Sequence, residues 1–323
     1  MKVETTALSI KHIAEMYCVN GKHFADLYRN KLSGYAEWCE RELSGEFYFN
    51  GANIGPHMSL DETCLSSGEV WTFLTNKDGH GGKGTLAAAI PGTKSDEIIS
   101  ILVNAMDKSL RRKVKEVTCD LSPSMMLIAQ EVFYNAYVVN DRFHVQQVYN
   151  EAVDEIRIDI RRKLIAEENE RDKSIPPTTY SNGETMRQIL ARSKHTLMMS
   201  SNKWTDIQRH RVNILFKHYP ILKAAYNLAM ELRKIFNTKT SPTKAMKKMN
   251  EWYEKVTQLG NANFRSVIKT FKNYAPTILN YFRRRATNAS AEAFNSKVKI
   301  FRAQMRGVRD RDFFIFRLVK LYA

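Results

Sequence analysis

Three short runs of β-forming residues, followed by a regular alternation of helix and strand, constrain this chain more than any other feature. HMSLDETCL (57–65), EVWTFLTNK (69–77) and GTLAAAIPG (84–92) are separated by glycine-containing turns, the pattern of strands joined as antiparallel neighbours. An amphipathic helix is predicted over 95–114, with Ile98, Ile99, Leu102, Ala105, Met106 and Leu110 on its apolar face. VKEVTCD (114–120) then reads as a strand. SPSMMLIAQEVFYN (122–135) reads as a helix capped by Ser122 with Pro123 at its first position, and AYVVND (136–141) as a further strand. The order β-β-β-α-β-α-β requires a mixed sheet, because helical crossovers return the chain parallel.

A mixed sheet of this order is that of the ribonuclease-H-like fold, in which the first and fourth strands are neighbours. Both flanks of this α/β segment are helical in pattern. Before it, Ile10, Ile13, Ala14 and Tyr17 keep helical spacing behind a capping Ser9, and Phe24, Leu27 and Tyr28 form a second face after the Asn20-Gly21 turn. This outline fits a helix-turn-helix and a plain helical scaffold equally. From residue 142 to 284 almost everything is helical, with breaks at Pro176-Pro177 and at Ser241-Pro242. Trp204, Phe216, Tyr219, Tyr226, Trp252 and Tyr253 are read as the core of this part rather than as stacking platforms. The last segment is helical and broken at Gly307. The expected organisation is a helical module (1–55), a first part of the core (56–160), an all-helical insertion (161–284) and closing core helices (285–323). Gly79 to Gly84 mimics a phosphate loop, but Thr85 and Leu86 stand where Lys and Ser/Thr are required, so it reads as a turn.

Charge narrows the partner. The net charge is +16, yet residues 1–186 hold 21 Lys+Arg against 27 Asp+Glu, and residues 187–323 hold 29 against 7. A basic excess confined to the last two-fifths points to a polyanion, nucleic acid first. No stretch reaches the roughly 18 apolar residues of a membrane helix, and the N-terminus has no signal-peptide pattern, so a cytoplasmic protein is expected. The four cysteines, Cys18, Cys39, Cys64 and Cys119, form no CxxC pair, which argues against a zinc ribbon and for reduced, buried thiols.

The acids locate the chemistry. Asp61 lies in the first strand, Asp120 closes the fourth, and Glu292 sits in a late helix where no other acid occurs between Lys255 and Arg309. Singly, each acid reads first as a surface residue. Their apolar or small neighbours, and the adjacency of the first and fourth strands, favour a cluster. Such a cluster needs a counter-charge. Two divalent cations, Mg²⁺ or Mn²⁺, suit oxygen ligands and in-line attack at phosphorus. Fifty-nine residues separate the aspartates and 172 separate Asp120 from Glu292. The second gap is too long for a bare core and calls for an inserted domain.

The blocks SLDETCLSSGEVWTFLTNKD, GTLAAAIPGTKSDEI, VTCDLSPSM, VVNDRFHV and TNASAEAFNSKVKIFRAQMRGVRDRDFFIFRL resemble the DDE transposases of bacterial insertion sequences. The likeness is to the ISL-three-like group, within it the ISAon-type lineage of short two-frame elements, from about residue 20 to the end. It implies that Asp61, Asp120 and Glu292 are the metal-binding catalytic triad of a DNA strand-cleaving and strand-transferring enzyme. Asp141 and His144 match a DxxH element expected beside the active site, although His144 reads equally as a structural histidine at a helix start. Asn288 and Asn295 flank the acid and are read as supporting hydrogen-bonders. Arg283, Arg284, Arg285, Lys297, Lys299, Arg302 and Arg306, with Arg309, Arg311 and Arg317 nearby, are read as contacts to the DNA backbone rather than as solvated helix faces. Full-length members carry an N-terminal cysteine-rich zinc segment that this chain lacks. The expected partners are therefore terminal inverted repeats, target DNA, further copies of the chain on DNA, and an upstream-frame end-recognition protein. The expected setting is bacterial and, when active, nucleoid-associated. A nuclease of the same fold and an inactive DNA-binding derivative are the alternatives.

Overall fold

The computed structural model describes residues 2–42, 47–66, 68–172, 174, 176–305 and 310–323. The expected break at Gly307 and the expected phosphate contacts of Arg306 and Arg309 lie outside the described residues. The chain forms two compact units, Met1–Asp141 with Ala286–Ala323, and Arg142–Arg285.

The first unit is α/β. Its helices before the sheet are α1 (Lys2–Thr5), α2 (Ile10–Met16), α3 (Gly21–Leu27) and α4 (Tyr35–Glu42). Its strands are β1 (Tyr48–Phe49), β2 (His57–Ser66), β3 (Glu69–Asn76), β4 (Leu86–Pro91), β5 (Glu116–Cys119) and β6 (Tyr137–Asn140). They make one six-stranded sheet in the order β1-β4-β3-β2-β5-β6. β2 pairs antiparallel with β3 but parallel with β5, and β5 pairs parallel with β6. The five strands from β4 to β6 are the ribonuclease-H-like sheet expected from the sequence; β1 adds a two-residue edge against β4. Ala87, Ala88 and Ala89 of β4 are fully buried, which fits a strand covered on both faces.

Between β4 and β5 the structure differs from the single helix read in the sequence. Two helices stand there, α5 (Ser95–Ala105) and α6 (Lys108–Lys113). The Asp107 carboxylate accepts the Leu110 N–H at 2.8 Å and caps α6, so an acid inside an amphipathic run restarts the helix rather than decorating it. Helix α7 (Pro123–Val132) follows, with Ser122 before it and Pro123 in its first turn.

The closing helices of this unit, α16 (Ala289–Gln304) and α17 (Arg311–Tyr322), complete its core. Phe294 of α16 meets Phe73 of β3 edge-on at 5.5 Å, and Phe301 stacks on Phe314 at 5.1 Å. The N-terminal helices share that core: Ile10, Ile13, Tyr28 and Trp38 cluster with Phe313, Phe314 and Phe316. Arg317, with no exposed surface, donates to the Val3 carbonyl at 2.9 Å and lies over the Tyr28 and Phe301 rings. The loop from Gly79 to Gly84 joins β3 to β4. A Cβ at Gly79 would stand 2.6 Å from the Thr85 hydroxyl, so glycine serves close packing there. Of the four thiols, only Cys119 is buried; Cys18 and Cys64 are exposed, unlike the buried set expected.

The second unit is all helical, with α8 (Arg142–Glu170), α9 (Met186–Arg192), α10 (Lys194–Met198), α11 (Asp206–His218), α12 (Pro220–Asn237), α13 (Pro242–Gln258), α14 (Ala262–Asn273) and α15 (Ala275–Arg284). Tyr149 of α8 stacks on Phe264 at 4.9 Å and meets Trp252 edge-on at 5.1 Å, while the Trp252 indole N–H donates to the Leu228 carbonyl. Of the aromatics expected in the core, Trp204, Tyr226, Trp252 and Tyr253 are buried, and Phe216 and Tyr219 are half-buried. Among the described residues, no helix is long and apolar enough to cross a membrane.

Candidate active site

Register brings the two aspartates to one place. The parallel pairing of β2 with β5 sets Ser59 opposite Thr118 and Leu60 opposite Cys119. Asp61 and Asp120 are the next residues on each side, where the paired stretch ends. Asp61 is buried and its neighbour Glu62 half-buried; a strand turns successive side chains to opposite faces. Thr118 and Ser59 share a 2.7 Å hydroxyl contact beneath.

Helix α16 is fastened to this strand pair by two asparagines. Asn288, fully buried at the helix start, donates from its side-chain amide to the Asp120 carboxylate at 3.3 Å and accepts from the Thr118 hydroxyl at 3.2 Å. Its backbone N–H meets the Asp141 carboxylate at 2.5 Å. Two turns on, the Asn295 amide donates to the Asp61 carboxylate at 2.8 Å and toward the Glu62 carbonyl at 3.4 Å. Residues 288, 292 and 295 fall on one helical stripe, so Glu292 stands between the two clasps. Ala291, Phe294 and Val298 bury the adjoining face, which leaves Glu292 itself exposed.

Glu292 lies near an acid outside the expected triad. Carboxylate oxygens of Asp141 and Glu292 lie within 4.8 Å of one another. Asp141 follows β6, is fully buried, and donates its N–H to the Cys119 carbonyl at 3.0 Å. Among the described residues, Asp61 and Asp120 do not join this group at that spacing. Thus one α16 stripe touches all three aspartates, Asp120 and Asp61 through asparagine amides and Asp141 through the Asn288 backbone N–H.

The field at this corner is negative. Burial, then the nearby Asp120 charge, pushes the Glu62 carboxyl above its ordinary value. Burial, then the charges of Asp120 and Asp61, pushes the Cys119 thiol up as well. Carboxylate oxygens in such a field suit a hard divalent cation. Thr118 and Asn140 were not singled out from sequence, although Asn140 donates to the Asp120 carbonyl at 3.1 Å. Their signal was a polar residue inside an apolar strand run, close to an acid.

His144 stands half-buried in the first turn of α8, in the second unit. The basic residues expected at DNA divide in the same way. Arg283 and Arg284 are exposed at the end of α15, and Arg285 donates to the Phe236 carbonyl at 3.2 Å. On α16, Lys299 is exposed, Lys297 donates to the Gly81 carbonyl at 2.5 Å, and Arg302 reaches the Cys64 carbonyl at 3.4 Å.

A family model described as Transposase, that of the ISL3-type DDE enzymes, matches residues 58–318. The chain belongs to this transposase family. The match runs from Met58 in β2 to Leu318 in α17, so the ISL3-type pattern takes in both aspartates, Asp141, Glu292 and the helical unit between them. The transposase for insertion sequence element IS1001 of Bordetella parapertussis is 24% identical over 229 residues, 71% of this chain and 52% of that protein. The chain therefore spans about half the length of that relative. No solved structure matches.

Proposed function

We propose that this chain cleaves DNA at the ends of an insertion sequence and transfers the freed strand into target DNA, using Asp61, Asp120 and Glu292 as its metal-holding acids. The observation that carries the reading is the pair of asparagine clasps, Asn288 on Asp120 and Asn295 on Asp61, with Glu292 between them on one helix. Asp141 joins as a fourth acid beside Glu292. Two magnesium or manganese ions held there would activate the attacking water or 3′-hydroxyl and stabilise the leaving oxygen.

The protein residues hold the acids still. Asp61 and Asp120 ride on adjacent strands of a buried sheet, so the separation between their backbones is set by strand pairing. Glu292 rides on a helix whose apolar face is sunk in the core, and the two amide clasps set its register against the strands. Each amide satisfies one carboxylate oxygen and fixes its direction, as supporting residues do for metal ligands. DNA is held by the basic residues of the same helix and by Arg283 and Arg284 at the end of α15. The active form holds both element ends at once and is thus a multimer on DNA, with an upstream-frame protein contributing end recognition.

The test is cleavage and strand transfer on DNA carrying the terminal inverted repeats of the encoding element, in Mg²⁺ or Mn²⁺. Wild type is expected to nick the ends and join them to target DNA, and Asp61→Asn and Glu292→Gln to lose at least about 10³-fold of that rate, as expected for lost electrostatic stabilisation at phosphorus. Cleavage without joining would make the chain a nuclease of this fold. Undiminished cleavage by either variant would contradict the assignment of that acid.

A further inference from the structure

The helical unit holds a recess of about 540 Å³ lined by Arg142, Gln146, Ser200, Lys203 and Arg233, with Phe143 among its aromatic walls. No Asp or Glu is among the described residues that line it. The two arginines are fixed in place by neutral groups. Arg233 donates to the Ser200 hydroxyl at 2.9 Å and to the Met198 carbonyl at 2.8 Å. Arg142 donates to the Tyr281 hydroxyl at 3.1 Å, with its guanidinium over the Phe143 and Tyr281 rings. Burial, with the positive charge of Arg142 acting in the same direction, holds the Arg233 guanidinium below its ordinary value. Half-buried like charges facing one recess without an acid gain most from an anion.

The surroundings say which anion. The unit from Arg142 to Arg285 carries 28 Lys+Arg against 13 Asp+Glu, or +15 of the net +16 of the whole chain. Phe143 is 53% exposed beside the guanidinium of Arg142, and an exposed ring next to an anion site offers a face to an unpaired base. In duplex DNA each base is stacked between its neighbours and its faces are not free. We infer that this recess binds a phosphodiester of single-stranded DNA through Arg142, Arg233 and Lys203, with the adjoining base stacked on Phe143. The inference rests on the reading of the chain as a DNA-handling enzyme and adds a strand-binding site in its helical unit.

The test is fluorescence anisotropy of the full chain with a labelled mixed-sequence single strand of about 20 nucleotides, titrated at several salt concentrations. Arg142→Gln/Lys203→Gln is expected to lower the slope of log affinity against log salt by about 0.7, the value for one phosphate of a single strand that is no longer neutralised. Phe143→Ala is expected to weaken binding about tenfold with the slope unchanged, because stacking is not ionic. The exposed pair Lys244 and Lys247 on α13 serves as the control of equal charge. A slope unchanged by the recess variants, or lowered equally by Lys244→Gln/Lys247→Gln, would overturn the site while leaving the transposase reading standing. Should the double variant melt lower than wild type, the exposed Lys203→Gln alone decides, with the slope expected to fall in the same direction by up to about 0.7. A wild-type protein that binds no DNA would overturn the transposase reading together with the site.

Discussion

Asn288 joins three residues of the candidate site. One buried amide side chain and its backbone N–H link Thr118, Asp120 and Asp141, residues from two strand ends that must be held apart and aligned. Replacing it by alanine removes the amide's bonds to Asp120 and Thr118 and keeps the backbone N–H on Asp141, a loss of about 0.5–1.5 kcal/mol per hydrogen bond. Asn288→Ala and Asn295→Ala are therefore each expected to reduce end cleavage by about 10- to 100-fold, the range for residues that orient metal ligands. Both should also raise the Mn²⁺ concentration needed for half-maximal rate. A Mn²⁺ titration of cleavage separates this from a merely structural role, which would lower the rate without moving that midpoint. Neither clasp could be assigned from sequence beyond a supporting hydrogen bond. The partners lie 168 and 234 positions away, and only the docked helix brings them together. Asp61 and Asp120 were legible because strand ends and neighbouring apolar residues mark them locally. Asp141 was legible as an acid, but its approach to Glu292 required the folded helix.

At the scale of elements, the strands were legible because a two-residue period bounded by glycine turns is a local signal. The division of one amphipathic run into α5 and α6 was not, since a capping aspartate competes with continuation of the helix only in three dimensions. Nor did the sequence reveal that the N-terminal helices pack on α17. That contact joins residues more than 300 positions apart, with Arg317 donating to the Val3 carbonyl. Arg317→Leu removes this link and the ring contacts of the guanidinium together. It is expected to destabilise the first unit by about 2–4 kcal/mol, in the range for breaking a buried polar network, and to speed proteolysis within residues 1–42. Proteolysis at the wild-type rate would show that apolar packing alone holds the helices down.

A second element-scale device ties α9 to α11. Glu184 accepts two bonds from Arg211 at 2.7 Å and one from Arg192 at 2.5 Å. Arg211, against the opposing pull of burial and with help from Arg192, holds its carboxyl down at about 2. A carboxyl depressed on folding contributes stability that is present above its unfolded value, about 4.3, and is lost as pH falls toward about 2. Thermal melts between pH 5 and pH 2 should show a loss of about 2 kcal/mol attributable to this group. The Glu184→Gln variant should start less stable and lose less over the same interval. Equal acid sensitivity in both proteins would assign the effect to other groups.

The whole molecule separates its basic charge from the candidate site. The unit that holds the acids carries 22 Lys+Arg against 21 Asp+Glu, while the helical unit holds nearly all of the basic excess. Sequence counting found that asymmetry but divided it at residue 186, because α8 carries as many acids as a solvated helix needs and hides the boundary at Arg142. A protein arranged in this way should bind DNA through surfaces that do not depend on its catalytic carboxylates. The most direct measurement is to assay DNA binding and end cleavage side by side for wild type and Asp120→Asn. The account predicts affinity within about twofold of wild type, since no phosphate contact is removed, with cleavage abolished. If Asp120→Asn lost binding and cleavage together, or kept both, Asp120 would not be a metal-holding acid and the assignment of the active site would be contradicted.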